Sequence, residues 1–146
     1  MLQLMWFRTD LRVTDNSALA AAMQAGPTVA VFLLSPGQWQ QHDDAPCKVD
    51  FWLRNLAALG RELQRLNVPL LVREADDWSA APEVLGKLAQ ELGATAVQVN
   101  EEYGVNESRR DQAVGAALDE LGVSFHSHLD RLLFKPGSVL TRTGTY

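Results

Sequence analysis

The sequence predicts an α/β domain, a three-layer open sheet of five mainly parallel strands with helices on both faces. Three observations predict it. Short apolar runs, each bounded by Gly, Pro, Asn or charge, alternate with longer segments of helical period. The runs are continuously apolar rather than alternating, which is the pattern of strands buried on both faces of a parallel sheet. Hydrophobic residues make up 47% of the 146 residues, enough for a real core in a chain of one domain's length.

The first run covers residues 2–7. Asp15 or Asn16 can cap a first helix that runs to about Gln24, where Gly26-Pro27 stops it. The second run covers residues 28–34. The second helix opens at Cys47 and Lys48 and carries Leu53, Leu56, Leu59, Leu63 and Leu66 at steps of three and four. Arg54, Arg61 and Arg65 fall on the opposite, watery face, and Asn67 ends the helix. The third run covers residues 69–72. A third helix starts near Pro82, carries Val84, Leu85, Leu88 and Leu92, and ends at Gly93. The fourth run covers residues 96–100. Asn106 is a cap candidate for a fourth helix reaching about Leu121, with Gly122 as its stop. The fifth run covers residues 123–125.

Right-handed crossovers between such strands give a Rossmann-like layering. Ligands in such folds sit beyond the carboxyl ends of the strands, so residues 8–16, 35–48 and 100–111 matter most. Residues 135–146 (KPGSVLTRTGTY) hold turn residues and no helical period. They read as a connector after a domain of residues 1–134.

Composition and missing motifs exclude several function classes. The net charge of −5 argues against this piece gripping DNA or an anionic membrane alone. A single cysteine, Cys47, excludes a disulfide scaffold and a Cys-based zinc site; a low-pKa thiol there is weaker than a small, partly buried residue. No run approaches the ~18 apolar residues of a membrane span. Residues 1–7 lack the basic start of a secretory leader, so a cytoplasmic setting is expected. There is no G-x-G-x-x-G, no P-loop and no G-x-S-x-G elbow. His126 and His128 alternate at strand spacing and could begin a metal site, but no third ligand is near in sequence. A polar strand end is the better reading, and neither a metal site nor a catalytic residue is expected.

The first strand runs into a charge cluster. Arg8 and Arg12 flank Asp10, and Asp15 and Asn16 follow. Charges at a strand end are costly to bury unpaired. An Arg8–Asp10–Arg12 network that fixes the loop or docks another surface is therefore expected. An anion site made by the two arginines is the alternative.

These residues also carry a resemblance. The pattern W-F-R-x-D-L-R-x-x-D-N, from Trp6 to Asn16, resembles the opening signature of the DNA photolyase/cryptochrome family at every specified position. Asn100-Glu101-Glu102-Tyr103 followed by Arg110-Asp111 is similar to a second block. Residues 69–74 (PLLVRE) with Asp76-Asp77, and Ser35-Pro36 with Gln38-Trp39, are similar to two more. The likeness runs in order through the chain. One departure is Gly104, where many members carry an acid.

The resemblance implies an N-terminal α/β domain, a linker beginning at 135–146 and a larger helical domain. That second domain would bind FAD, carry the tryptophan electron-transfer chain and receive damaged DNA. None of Trp6, Trp39, Trp52 and Trp78 belongs to that chain; core or interface roles are expected for them. The resemblance further implies a methenyltetrahydrofolate antenna in the interdomain cleft, contacted by His42, Asn106 and Glu107. Glu107 can accept two adjacent pterin N–H donors, and Asn106 offers donor and acceptor. Helix capping and favourable charge at a helix start are the structural roles open to Asn106 and Glu107, and a solvated loop position is open to His42. Some members hold a flavin or deazaflavin antenna deeper, near strand ends one to four. The implied function is the light-harvesting-cofactor domain of a photolyase repairing cyclobutane pyrimidine dimers, catalytic only as the full-length protein. The alternatives are the same domain of a cryptochrome photoreceptor and a free-standing nucleotide-binding α/β domain.

Overall fold

A computed structural model describes residues 1–35, 46–75 and 77–129. The elements are β1 Gln3–Phe7, α1 Ser17–Ala25, β2 Thr28–Leu34, α2 Pro46–Arg65, β3 Leu70–Glu74, α3 Ala81–Leu92, β4 Ala96–Asn100, α4 Val105–Glu120 and β5 Ser124–His128. A short 3-10 turn, Trp78–Ala80, precedes α3. All five strands form one sheet in the order β3-β2-β1-β4-β5, and every pairing is parallel. The order reverses between β1 and β4, so the crevice of this fold class opens at their carboxyl ends.

Alternation along the strands builds two cores. Leu4, Trp6, Val31, Leu33, Val97 and Val99 face one side and pack with Leu85 and Leu88 of α3 and Val114 and Leu118 of α4. Met5, Phe7, Ala30 and Phe32 face the other and meet Leu19 and Ala22 of α1 and Leu56, Leu59 and Leu63 of α2. This is the expected three-layer fold with helices on both faces.

Helix ends follow local chemistry. Asn16, not Asp15, caps α1: its side chain accepts from the Leu19 N–H at 3.0 Å. Gly93 after α3 and Gly122 after α4 take left-handed φ values of 68° and 75°, where a Cβ is disfavoured. Asn67 takes the same region after α2.

Three expectations are corrected. The N-cap of α4 is Gly104, and Asn106 lies inside the first turn. β5 runs from Ser124 through His128 instead of covering 123–125, because its backbone pairs with β4 as far as Asn100↔His128. On α2, Leu56, Leu59 and Leu63 are buried but Leu53 is 44% exposed, and the helix ends at Arg65, which leaves Leu66 in the following turn and 40% exposed. The 20 residues of α2 span roughly 30 Å, longer than the roughly 16 Å of a five-residue strand, so its ends overhang the sheet.

Candidate functional site at the carboxyl ends of β1 and β4

The loop after β1 and the start of α4 meet over the β1/β4 crevice. Asn100, the last residue of β4 and 2% exposed, is their junction. Its side-chain amide donates to Asp10 Oδ2 at 2.6 Å and to Asn16 Oδ1 at 2.8 Å, and its Oδ1 accepts from the Ala18 N–H at 3.0 Å. Asp10 Oδ1 accepts the Arg8 backbone N–H at 2.8 Å. Asn16 Nδ2 donates to the Arg12 carbonyl at 2.8 Å. One amide thus ties the loop, the helix start and the strand end together.

A second cluster of ions lies beside it. Arg8 donates to Asp111 at 2.7 Å and to the Asn100 carbonyl. Arg110 donates to Glu102 at 2.6 Å and to Asp111 at 3.1 Å, and Thr9 donates to Glu102 at 2.5 Å. The Arg8 guanidinium lies 4.7 Å from the Trp6 ring centre, and Arg110 lies between Trp6 and Trp78 at 5.1 and 4.5 Å. Cations over indole faces gain electrostatic attraction and lose contact with water. Two arginines and two carboxylates balance in charge, which is what makes their burial tolerable. Burial works to raise the Glu102 pKa, but the Arg8 charge, the Arg110 and Thr9 hydrogen bonds and the Arg110 charge outweigh it. The carboxyl is held below its ordinary value of 4.5.

The expected Arg8–Asp10–Arg12 network therefore has a different wiring. Asp10 is held by a backbone N–H and an amide, while the Arg8 guanidinium reaches Asp111 on α4. Arg12 donates to the Asp15 carbonyl at 3.1 Å. Sequence reasoning gave no role to Asn100, Glu102, Arg110 or Asp111. The signals were their block of family resemblance and their place in the segment 100–111 at a strand end; neither says which loop faces them.

Asn106 and Glu107 are neighbours in the first turn of α4, at the carboxyl end of the sheet. Asn106 is exposed and Glu107 half-buried. No side chain caps the helix. His42 and Trp39 lie outside the described residues, as do the side chains of Cys47, Lys48 and Trp52. Trp6 is a core residue and Trp78 is half-buried against Arg110. His128 contacts Gln98 Oε1 at 2.7 Å, and Gln98 donates to Gln3 at 3.0 Å, so this histidine ends a polar ladder across the sheet. No cluster of three or more metal-binding side chains occurs among the described residues.

A family model described as DNA photolyase matches residues 3–146. A deoxyribodipyrimidine photo-lyase of Vibrio cholerae serotype O1 is 41% identical over 146 residues, which is 99% of this chain and 31% of that protein. The crystal structure of a bacterial class III photolyase from Agrobacterium tumefaciens is similar over 97% of this chain and 28% of that one, at 30% identity and a TM-score of 0.71. A cryptochrome of Synechocystis sp. PCC6803 shares the fold over 88% of this chain and 27% of its own, with a TM-score of 0.79 at 24% identity. The chain spans about a third of the length of the curated relatives it matches.

Proposed function

Because the chain belongs to the DNA photolyase family, we propose that it is the light-harvesting-cofactor domain of a light-driven, FAD-dependent photolyase repairing cyclobutane pyrimidine dimers. The observation that carries this reading is the family match over nearly the whole chain, on a fold similar to that of a class III photolyase. Residues 1–134 form the domain, and 135–146 begin the connector to a helical domain. FAD and damaged DNA belong to that second domain; a domain of net charge −5 is a poor partner for phosphates. No helix among the described residues is long and apolar enough to cross a membrane, in keeping with a cytoplasmic enzyme.

The antenna in this reading is methenyltetrahydrofolate, held in the interdomain cleft by His42, Asn106 and Glu107. Asn106 and Glu107 fit such a group. Asn106 is exposed and two residues inside α4, so its amide is not spent on capping. Glu107 offers a carboxylate to the paired N–H donors of a pterin edge. His42 offers a ring face and a ring nitrogen. When bound, the folate supplies near-ultraviolet absorption and passes its excitation to the flavin. Arg8, Asp10, Arg12, Asp15 and Asn16 form a structural or domain-docking network in this reading, and their described contacts tie the loop after β1 to β4 and α4.

Two measurements on the full-length protein, purified in the dark, test the reading. Repair of a dimer-containing oligonucleotide under blue light is expected. Intact flavin without repair would move the protein to the cryptochrome class. Flavin bands with a near-ultraviolet shoulder are expected, and Glu107→Gln should lower both the shoulder and the folate content several-fold. An unchanged shoulder and folate content would remove the antenna assignment.

A further inference from the structure

Gly104 sits at the N-cap of α4 with φ −64° and ψ 155°, an extended conformation that any residue adopts. The backbone therefore does not require glycine here. The space does. Glu107, three residues on, folds back so that both carboxylate oxygens lie where a Cβ of residue 104 would stand, well inside contact distance. A side chain at 104 and this rotamer of Glu107 exclude each other.

The folded-back carboxylate belongs to the first turn of α4, where a negative charge complements the positive end of the helix dipole. No side chain caps this helix end, so the Glu107 charge is the feature that complements it. We propose that Gly104 is a positioning residue: by lacking a Cβ it lets Glu107 rest over the helix N-terminus, and a ligand must draw that carboxylate out before using it. This rests on the assignment of Glu107 as a folate contact. The identity of residue 104 then tunes antenna affinity. A Cβ at 104 bars the resting rotamer, leaves the outward ones and removes the competition.

The test is a titration of antenna-stripped, flavin-loaded full-length protein with methenyltetrahydrofolate, read by the near-ultraviolet band. Gly104→Ala should tighten binding about two- to five-fold, the factor corresponding to one exposed charge–dipole interaction. Gly104→Ser should do the same while supplying a cap oxygen, which keeps the test sound if the alanine variant weakens the helix. In a Glu107→Gln background the Gly104 variants should have much smaller effects, because the displaced group has lost its charge. Unchanged or weaker binding in both Gly104 variants, with Glu107→Gln still impairing it, would overturn the inference and leave the antenna assignment intact. Folate binding unaffected by Glu107→Gln would remove the antenna assignment, and this inference with it.

Discussion

At Asn100 the side-chain amide has no spare donor. Both of its N–H groups are committed, one to Asp10 and one to Asn16, and its oxygen takes the Ala18 N–H. Asn100→Asp keeps the shape but sets a carboxylate oxygen against Asp10 and Asn16 acceptors in a buried site. We expect a loss of about 3 kcal/mol or more, read by urea denaturation. A loss below about 1 kcal/mol would mean that the junction carries little of the fold. Glu102 gives a pH signature. Its folded pKa lies below its ordinary 4.5, so its stabilising contribution is complete above that value and fades as pH falls through the folded one. Glu102→Gln should flatten this acid dependence and cost about 2 kcal/mol at neutral pH by leaving Arg110 only its longer contact to Asp111. Parallel stability–pH curves for the two proteins would contradict this.

Among the elements, α2 shows how far a periodic stripe predicts burial. Leu59 is 2% exposed and Leu53 44% exposed, although both belong to one leucine series. Leu59→Ala should cost about 2–5 kcal/mol, the range for a core leucine, and Leu53→Ala less than about 1 kcal/mol. Equal losses would mean that the overhanging end of α2 is covered in the folded protein. The start of α4 teaches a related lesson. Asn is a favoured cap residue, yet the helix begins at Val105, with Gly104 in the cap position and Asn106 already helical. Cap preference is worth about 1 kcal/mol, which tertiary contacts such as Arg110 on Glu102 easily outweigh.

The whole molecule is organised around a reversal. Strands β2 and β3 run to one side of β1, and β4 and β5 to the other. In many folds of this class the resulting crevice receives a ligand. Here the paired ions of Arg8, Glu102, Arg110 and Asp111 lie beside it, and the first turn of α4, with Asn106 exposed, lies at the same end. Each face of the sheet has its own buried cluster. Residues 1–146 alone should therefore unfold cooperatively on heating. They should also fail to shift duplex DNA in a gel at micromolar concentration, given the net charge of −5. A DNA complex of the isolated chain would relocate part of the DNA-binding face to this domain.

What the sequence determined by itself was the layering. The runs at 28–34 and 96–100 match β2 and β4 to the residue, and Gly26, Gly93 and Gly122 stand at helix ends as expected. These features are local: a continuous apolar run, a helical period or a left-handed glycine is written in consecutive residues. The charge cluster was legible as a cluster, but its wiring was not. Whether Arg8 meets Asp10 two residues away or Asp111 on α4 depends on how β1 and β4 are brought side by side. Likewise only the tertiary structure decided that Asn100 joins three segments and that Glu107 occupies the space of a missing Cβ. Apolar periodicity fixes which face of an element is buried, because burial scales with area. Polar partners are chosen by distance and direction, and those exist only once the sheet has formed.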